Sequence, residues 1–107
     1  MIYHLTFAAD WHRAQAAGQY TAPSLATEGF IHCSGPHQVA RTANLYFQGQ
    51  GELLLLHIDE DRLTAPLRYE PAGDQHFPHL YGPLNLAAVL RAEPLAPDAS
   101  GQYHFAP

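Results

Sequence analysis

The chain has 107 residues, with five Arg and no Lys against ten acids, and its formal charge is -5 at pH 7. That balance, with only 14% of residues charged, argues against a phosphate-neutralising patch, so general nucleic-acid binding is not expected. One cysteine excludes an internal disulfide, and the length and 47% apolar content fit one domain with one core, residues 1–107.

Residues Ile2 to Thr6 read as a short strand. The same segment lacks the basic stretch and long apolar run of a signal peptide, and no apolar run approaches the roughly twenty residues of a membrane span, so a cytoplasmic location without membrane contact is expected. Phe7, Trp11, Ala14 and Gly18 then recur on one helical face, predicting a helix from Ala8 to Ala17 capped by Thr6 and stopped by Gly18. Tyr20 to Pro23 is extended ahead of proline, and Ser24 to Gly29 is a single turn of helix closed by glycine. A strand from Phe30 to Cys33 follows. Ser34, Gly35 and Pro36 open a second helix in which Val39, Ala43 and Tyr46 repeat as far as Gly49.

The unbroken run Leu53 to Ile58 suits a strand covered on both faces, and is expected at the centre of the sheet. Leu67 to Glu70 alternates as a half-buried strand does, Ala72 to Gln75 is a loop, and Phe77 to Tyr81 is a further strand before Gly82-Pro83. Ala87 to Ala92 is the last expected regular element. Residues 94–107 are rich in Pro, Ala, Gly and Ser, predicting a loosely packed tail or an edge strand at Tyr103 to Phe105. The mixed order of strands and helices predicts an α+β domain with two main helices and a bent, mainly antiparallel sheet.

Side chains alternate along a strand, so His4 and Thr6 share one face of the first strand, and His32 and Ser34 share one face of the third segment. Each pair offers an imidazole and a hydroxyl, a set of groups that suits ribose hydroxyls and a carboxamide. On spacing alone, the pattern fits somewhat better His residues packed at strand ends against backbone partners. His79 shares a face with Phe77 and Tyr81, and Glu70 stands at a strand end as the nearest carboxylate. A metal site is not expected, because Pro78 breaks the helix that His76-x-x-His79 would need and no paired-cysteine motif is present. Cys33 and His32 point to opposite faces and cannot form a nucleophilic dyad, while His12, His37 and His104 read as solvated.

Tyr3-His4-Leu5-Thr6, Trp11, Gly18, Ser24-Leu25 and Gly29-Phe30-Ile31-His32-Cys33-Ser34 together resemble the amino-terminal half of the ADP-ribosyltransferase-like fold. They are most similar to its RNA 2'-phosphotransferase branch. With Phe77-Pro78-His79-Leu80-Tyr81-Gly82-Pro83-Leu84, the whole chain resembles the small bacterial family catalogued as domain of unknown function 952. The resemblance implies a split, strongly bent sheet whose cleft holds NAD or an ADP-ribose-like nucleotide. It places His4 on the adenosine-side ribose, the Leu5 backbone on the nicotinamide carboxamide, and His32 and Ser34 at the floor near the nicotinamide ribose. His79 and Tyr81 enter from the other side, and Glu70 or His79 takes the place of the transferase glutamate. Two departures stand out: Leu5 where those enzymes have glycine, and Phe30 where a His-x-His-x-Ser strand has its first His. The implied activity is transfer of ADP-ribose or cleavage of the nicotinamide-ribose bond. The alternative is a binding domain that keeps the cleft without the chemistry.

Overall fold

A run of six apolar-rich residues can lose both of its faces to a core, and Leu53 to Ile58 does so. In the computed structural model, which describes residues Met1 to Pro107, this run is the middle strand of a three-stranded sheet. In chain order the elements are β1 (Ile2–Thr6), α1 (Ala8–Ala17), β2 (Gln19–Tyr20), α2 (Pro23–Glu28), β3 (Ile31–His32), α3 (Val39–Tyr46) and β4 (Leu53–Ile58). After them come β5 (Leu67–Ala72), β6 (Gln75–Leu80), β7 (Leu84–Asn85) and β8 (Val89–Leu95), with 3-10 turns at Glu60–Arg62 and Leu86–Ala88.

The strands form sheets ordered β1-β4-β8, β3-β6-β5 and β2-β7, and every strand pair is antiparallel. A bridge between Tyr3 and Ser34 joins the first two sheets, with backbone bonds of 2.8 and 2.7 Å in the two directions. The sheet is therefore split, and β1 runs along the seam. Leu56, Ile58 and Ile2 face one apolar cluster with Ile31, Cys33 and Leu80, while Leu53, Leu55, Tyr3 and Leu5 face a second with Val39 and Ala43.

The α+β class and the antiparallel arrangement agree with the sequence reading, but the helices number three rather than two. Pro23 occupies the first turn of α2, where its missing N–H is no loss, so the expected single turn extends to six residues before Gly29 ends it. Helix α1 matches its expected span and ends on Gly18 at φ 86°, a left-handed conformation that costs glycine no Cβ clash. Thr6 does not cap it, because its hydroxyl bonds Tyr20 instead. Helix α3 starts at Val39, later than Pro36, because Gly35 and Gln38 close a turn of their own: the Gly35 N–H donates to the Gln38 side-chain oxygen at 2.9 Å.

The expectation of a loose tail over residues 94–107 also needs correcting. Strand β8 continues to Leu95, and Tyr103 is 1% exposed without belonging to any strand. Its backbone N–H donates to the Asn44 side-chain oxygen at 2.8 Å, and its carbonyl accepts from the Asn44 amide at 2.9 Å. That reciprocal pair replaces a strand ladder. No helix is long and apolar enough to cross a membrane.

Candidate functional site

The seam between the two larger sheets opens into a cleft of about 850 Å³, within the size range of small-molecule sites. His4, Leu5 and Thr6 of β1 line it, as do His32 of β3, Ser34 just beyond, and His79 of β6. Six of the eight expected site residues are thus brought together. The other two, Glu70 and Tyr81, are not part of the lining: Glu70 bonds His79, and Tyr81 bonds Glu70. A smaller depression of about 530 Å³ adjoins the cleft and shares Asp10, Tyr20, Ala22 and Pro23 with it.

Strand register builds the centre of the site. His32 and His79 are direct cross-strand partners in β3 and β6, so their rings lie on one face with centroids 5.4 Å apart. Phe30 stacks on His79 at 4.1 Å and 18°. Phe30 therefore supplies an aromatic wall beside His79.

Behind His79, one Glu70 oxygen accepts from its Nδ1 at 2.9 Å and also from the Tyr81 hydroxyl. A carboxylate oxygen can only accept, so in the neutral ring the proton sits on Nδ1 and the Nε2 lone pair is left free. No protein group bonds that Nε2, and no polar side-chain atom in the molecule is both sealed from solvent and unpartnered, so Nε2 is reached from the cleft. The Tyr81 hydroxyl and the His79 imidazole hold the Glu70 carboxyl below its ordinary range, and the carboxylate in turn pushes the Tyr81 hydroxyl up. Arg68 covers the Tyr81 ring, its guanidinium carbon 5.0 Å from the centroid.

His4 has a different environment. Its Nδ1 lies 2.6 Å from the His32 carbonyl oxygen and its Nε2 2.8 Å from the Tyr20 hydroxyl. The carbonyl fixes the proton on Nδ1, so Nε2 accepts from Tyr20, and the Tyr20 oxygen, 3.0 Å from Thr6 Oγ1, accepts from the Thr6 hydroxyl. Both ring nitrogens of His4 are thus committed within the protein, as the backbone-partner reading has it, so the ring lines the cleft without a free donor or acceptor for the ribose contact that the resemblance implies. Burial lowers its pKa to about 4, against the opposing effect of the carbonyl bond.

Two residues that meet these His side chains have no place in the sequence reading. Tyr20 belongs there because the two-residue strand β2 turns it inward, a pairing with Leu84 that no local pattern announces. Glu28 bonds His32 Nε2 at 2.9 Å across the Gly29 stop between α2 and β3, a turn across which the helical i, i+4 rule does not apply, so local spacing gives no signal for it. Cys33 is buried with its thiol pushed up to about 12 by desolvation, so it is an inert core residue. No three His, Cys, Asp or Glu side chains are grouped so as to hold a metal ion.

Fold and site define a class: a small α+β domain with a histidine-lined cleft at the seam of a split antiparallel sheet. A family model described as "Protein of unknown function (DUF952)" matches residues 5–92, and the chain belongs to that family. Its fold is similar to the crystal structure of protein CC0527 from Caulobacter crescentus, at 36% identity and a TM-score of 0.88 over 96% of this chain and 92% of that one. The solution NMR structure of CC0527 is similar at 37% identity and a TM-score of 0.82, over 94% and 89% of the two chains. Among curated proteins, none matches.

Proposed function

We propose that this chain is an ADP-ribosyltransferase-like domain whose cleft binds NAD or an ADP-ribose-like nucleotide, and that His79 serves there as the acid-base group. The observation that carries this reading is the convergence of His4, Thr6, His32, Ser34 and His79 on one cleft between two half-sheets. Thr6, His32, Ser34 and His79 offer hydrogen bonds for ribose hydroxyls and a carboxamide, His4 holds β3 in place through the His32 carbonyl, and Phe30 provides an aromatic face.

The chemistry follows from the protonation of His79. Its free Nε2 accepts the proton of an acceptor hydroxyl or water, whose oxygen attacks the ribose C1′. The C1′–N bond breaks, and nicotinamide leaves with the bonding pair. Glu70 stabilises the imidazolium so formed, which makes it a positioning residue and not one that touches substrate.

A second reading, binding without chemistry, draws on one observation. The carboxylates lining the cleft, Asp10, Glu28 and Asp74, lie on helices or on a turn, whereas the strand carboxylate Glu70 stays behind His79. Calorimetry with NAD and ADP-ribose beside a nicotinamide-release assay separates the readings. Glu70→Gln and His79→Gln should both lose turnover, about 100-fold or more, while Glu70→Gln keeps nucleotide affinity within about threefold. Binding without release of nicotinamide supports the second reading, and a wild-type chain that binds neither nucleotide overturns both.

A further inference from the structure

The cleft carries very uneven charge. Arg41 is the sole Lys or Arg along its lining, set against Asp10, Glu28 and Asp74. Arg41 sits on α3 and reaches Asp74, in the turn between β5 and β6, at 3.5 Å. Both ends of that pair are more than half exposed, so it contributes little and exchanges readily. The turn does not depend on the pair for its position, because the Gln38 amide donates to the Gln75 side-chain oxygen at 3.0 Å and to the His76 carbonyl at 2.9 Å.

Two hydroxyls accompany Arg41. Ser34 Oγ donates to Thr42 Oγ1 at 3.3 Å, and both residues line the cleft. The two hydroxyls share one bond and have no other protein acceptor, so one of their two protons is uncommitted.

We propose that Arg41, Thr42 and Ser34 form an anion subsite that takes the phosphate of the ligand, with Arg41 leaving Asp74 to do so. A guanidinium offers a planar fork of donors that matches phosphate oxygens, and the one uncommitted proton of the Ser34–Thr42 hydroxyl pair adds a further donor. Elsewhere along the lining a phosphate faces Glu28 and Asp10, and the Arg13 guanidinium, which is not part of the lining, is already taken by Asp10. The subsite therefore sets the direction of the ligand, phosphate toward α3 and the neutral or cationic end toward Phe30, His32 and Glu28. The assignment of the remainder of the ligand rests on the nucleotide reading above, whereas the anion subsite itself does not.

The test uses the isotope-labelled full chain in NMR titrations with inorganic pyrophosphate, and with two pairs, AMP against adenosine and nicotinamide mononucleotide against its riboside. The phosphorylated member should bind about tenfold tighter in each pair, and Arg41→Gln should reduce that preference to about threefold or less. Asp74→Asn should tighten the phosphorylated members by about two- to fivefold and leave the nucleosides unchanged. Pyrophosphate should shift the Ser34, Arg41 and Thr42 resonances in the wild type and not in Arg41→Gln. That result without any nucleotide binding defeats the nucleotide reading and keeps the subsite. An undiminished phosphate preference in Arg41→Gln overturns the subsite, as does pyrophosphate that perturbs none of these three residues.

Discussion

Taking an imidazole out of water disfavours its charged form, and His4 carries that cost in the folded state alone. Its pKa falls from an ordinary 6.5 to about 4, chiefly through burial. Above pH 6.5 the ring is neutral whether the chain is folded or not, so it contributes no pH dependence. Between 6.5 and about 4 the unfolded chain takes up a proton that the folded chain refuses, and stability falls as pH falls. Urea unfolding should therefore show about 2 kcal/mol lost between about pH 7.5 and 5, and His4→Gln should remove that part of the slope. An identical slope in the variant defeats the assignment. The Glu70 carboxyl, held low by Tyr81 and His79, contributes stability that disappears only as pH falls through its depressed folded value, below the ordinary 4.5, so the two effects occupy different windows. Cys33, sealed in the core with its thiol raised to about 12, should react with a thiol reagent at neutral pH only after the chain is unfolded. Stoichiometric labelling of the native protein would contradict its burial.

At the scale of elements, the parts legible in the sequence are those whose partners are close or whose pattern is complete. Helix α1 is announced by Phe7, Trp11, Ala14 and Gly18, and β4 by an apolar run that has no polar face to expose. Strand parity also places His4 with Thr6 and His32 with Ser34 on the cleft. What stays hidden depends on distant partners. Tyr103 sits in a Pro-, Ala- and Gly-rich stretch, and only Asn44, 59 residues upstream, makes it part of the core. Arg41 belongs to the polar side of α3, which reads as solvated until the β5–β6 turn folds over it. Glu70 shares a strand face with His79, but nothing in that parity tells whether its carboxylate enters the cleft or supports the His from behind. The Tyr103 hydroxyl donates to the carbonyl oxygens of Gly51 and Phe47, which ties the tail to the loop after α3. Tyr103→Phe should cost about 1 to 3 kcal/mol in denaturant unfolding, because it strands a part-buried acceptor. A loss under half of that lower figure would mean that water replaces the hydroxyl.

For the molecule as a whole, the sheet β1-β4-β8 is a wall shared by two apolar clusters, so the two are expected to unfold together. Leu55 and Leu56 are sequence neighbours on opposite faces of β4, each 0% exposed, one in each cluster. Truncating either removes its own contacts, and it also weakens a strand that both clusters need as their floor. Leu55→Ala and Leu56→Ala should each destabilise by about 2 to 5 kcal/mol. Cooperativity makes a stronger demand than this magnitude. Trp11 packs against the cluster that contains Leu56, so its fluorescence reports that side of the wall, whereas far-UV circular dichroism reports the whole chain. If the sheet couples the two sides, the Leu55→Ala transition seen by Trp11 fluorescence must coincide with the one seen by circular dichroism, with an unchanged denaturant slope. Fluorescence that persists after most of the dichroism is lost would show that the Leu56 side folds by itself. The α3 side of the cleft, with Arg41 and Thr42, could then open while His4 and His32, whose strands pack into the Leu56 cluster, stayed together.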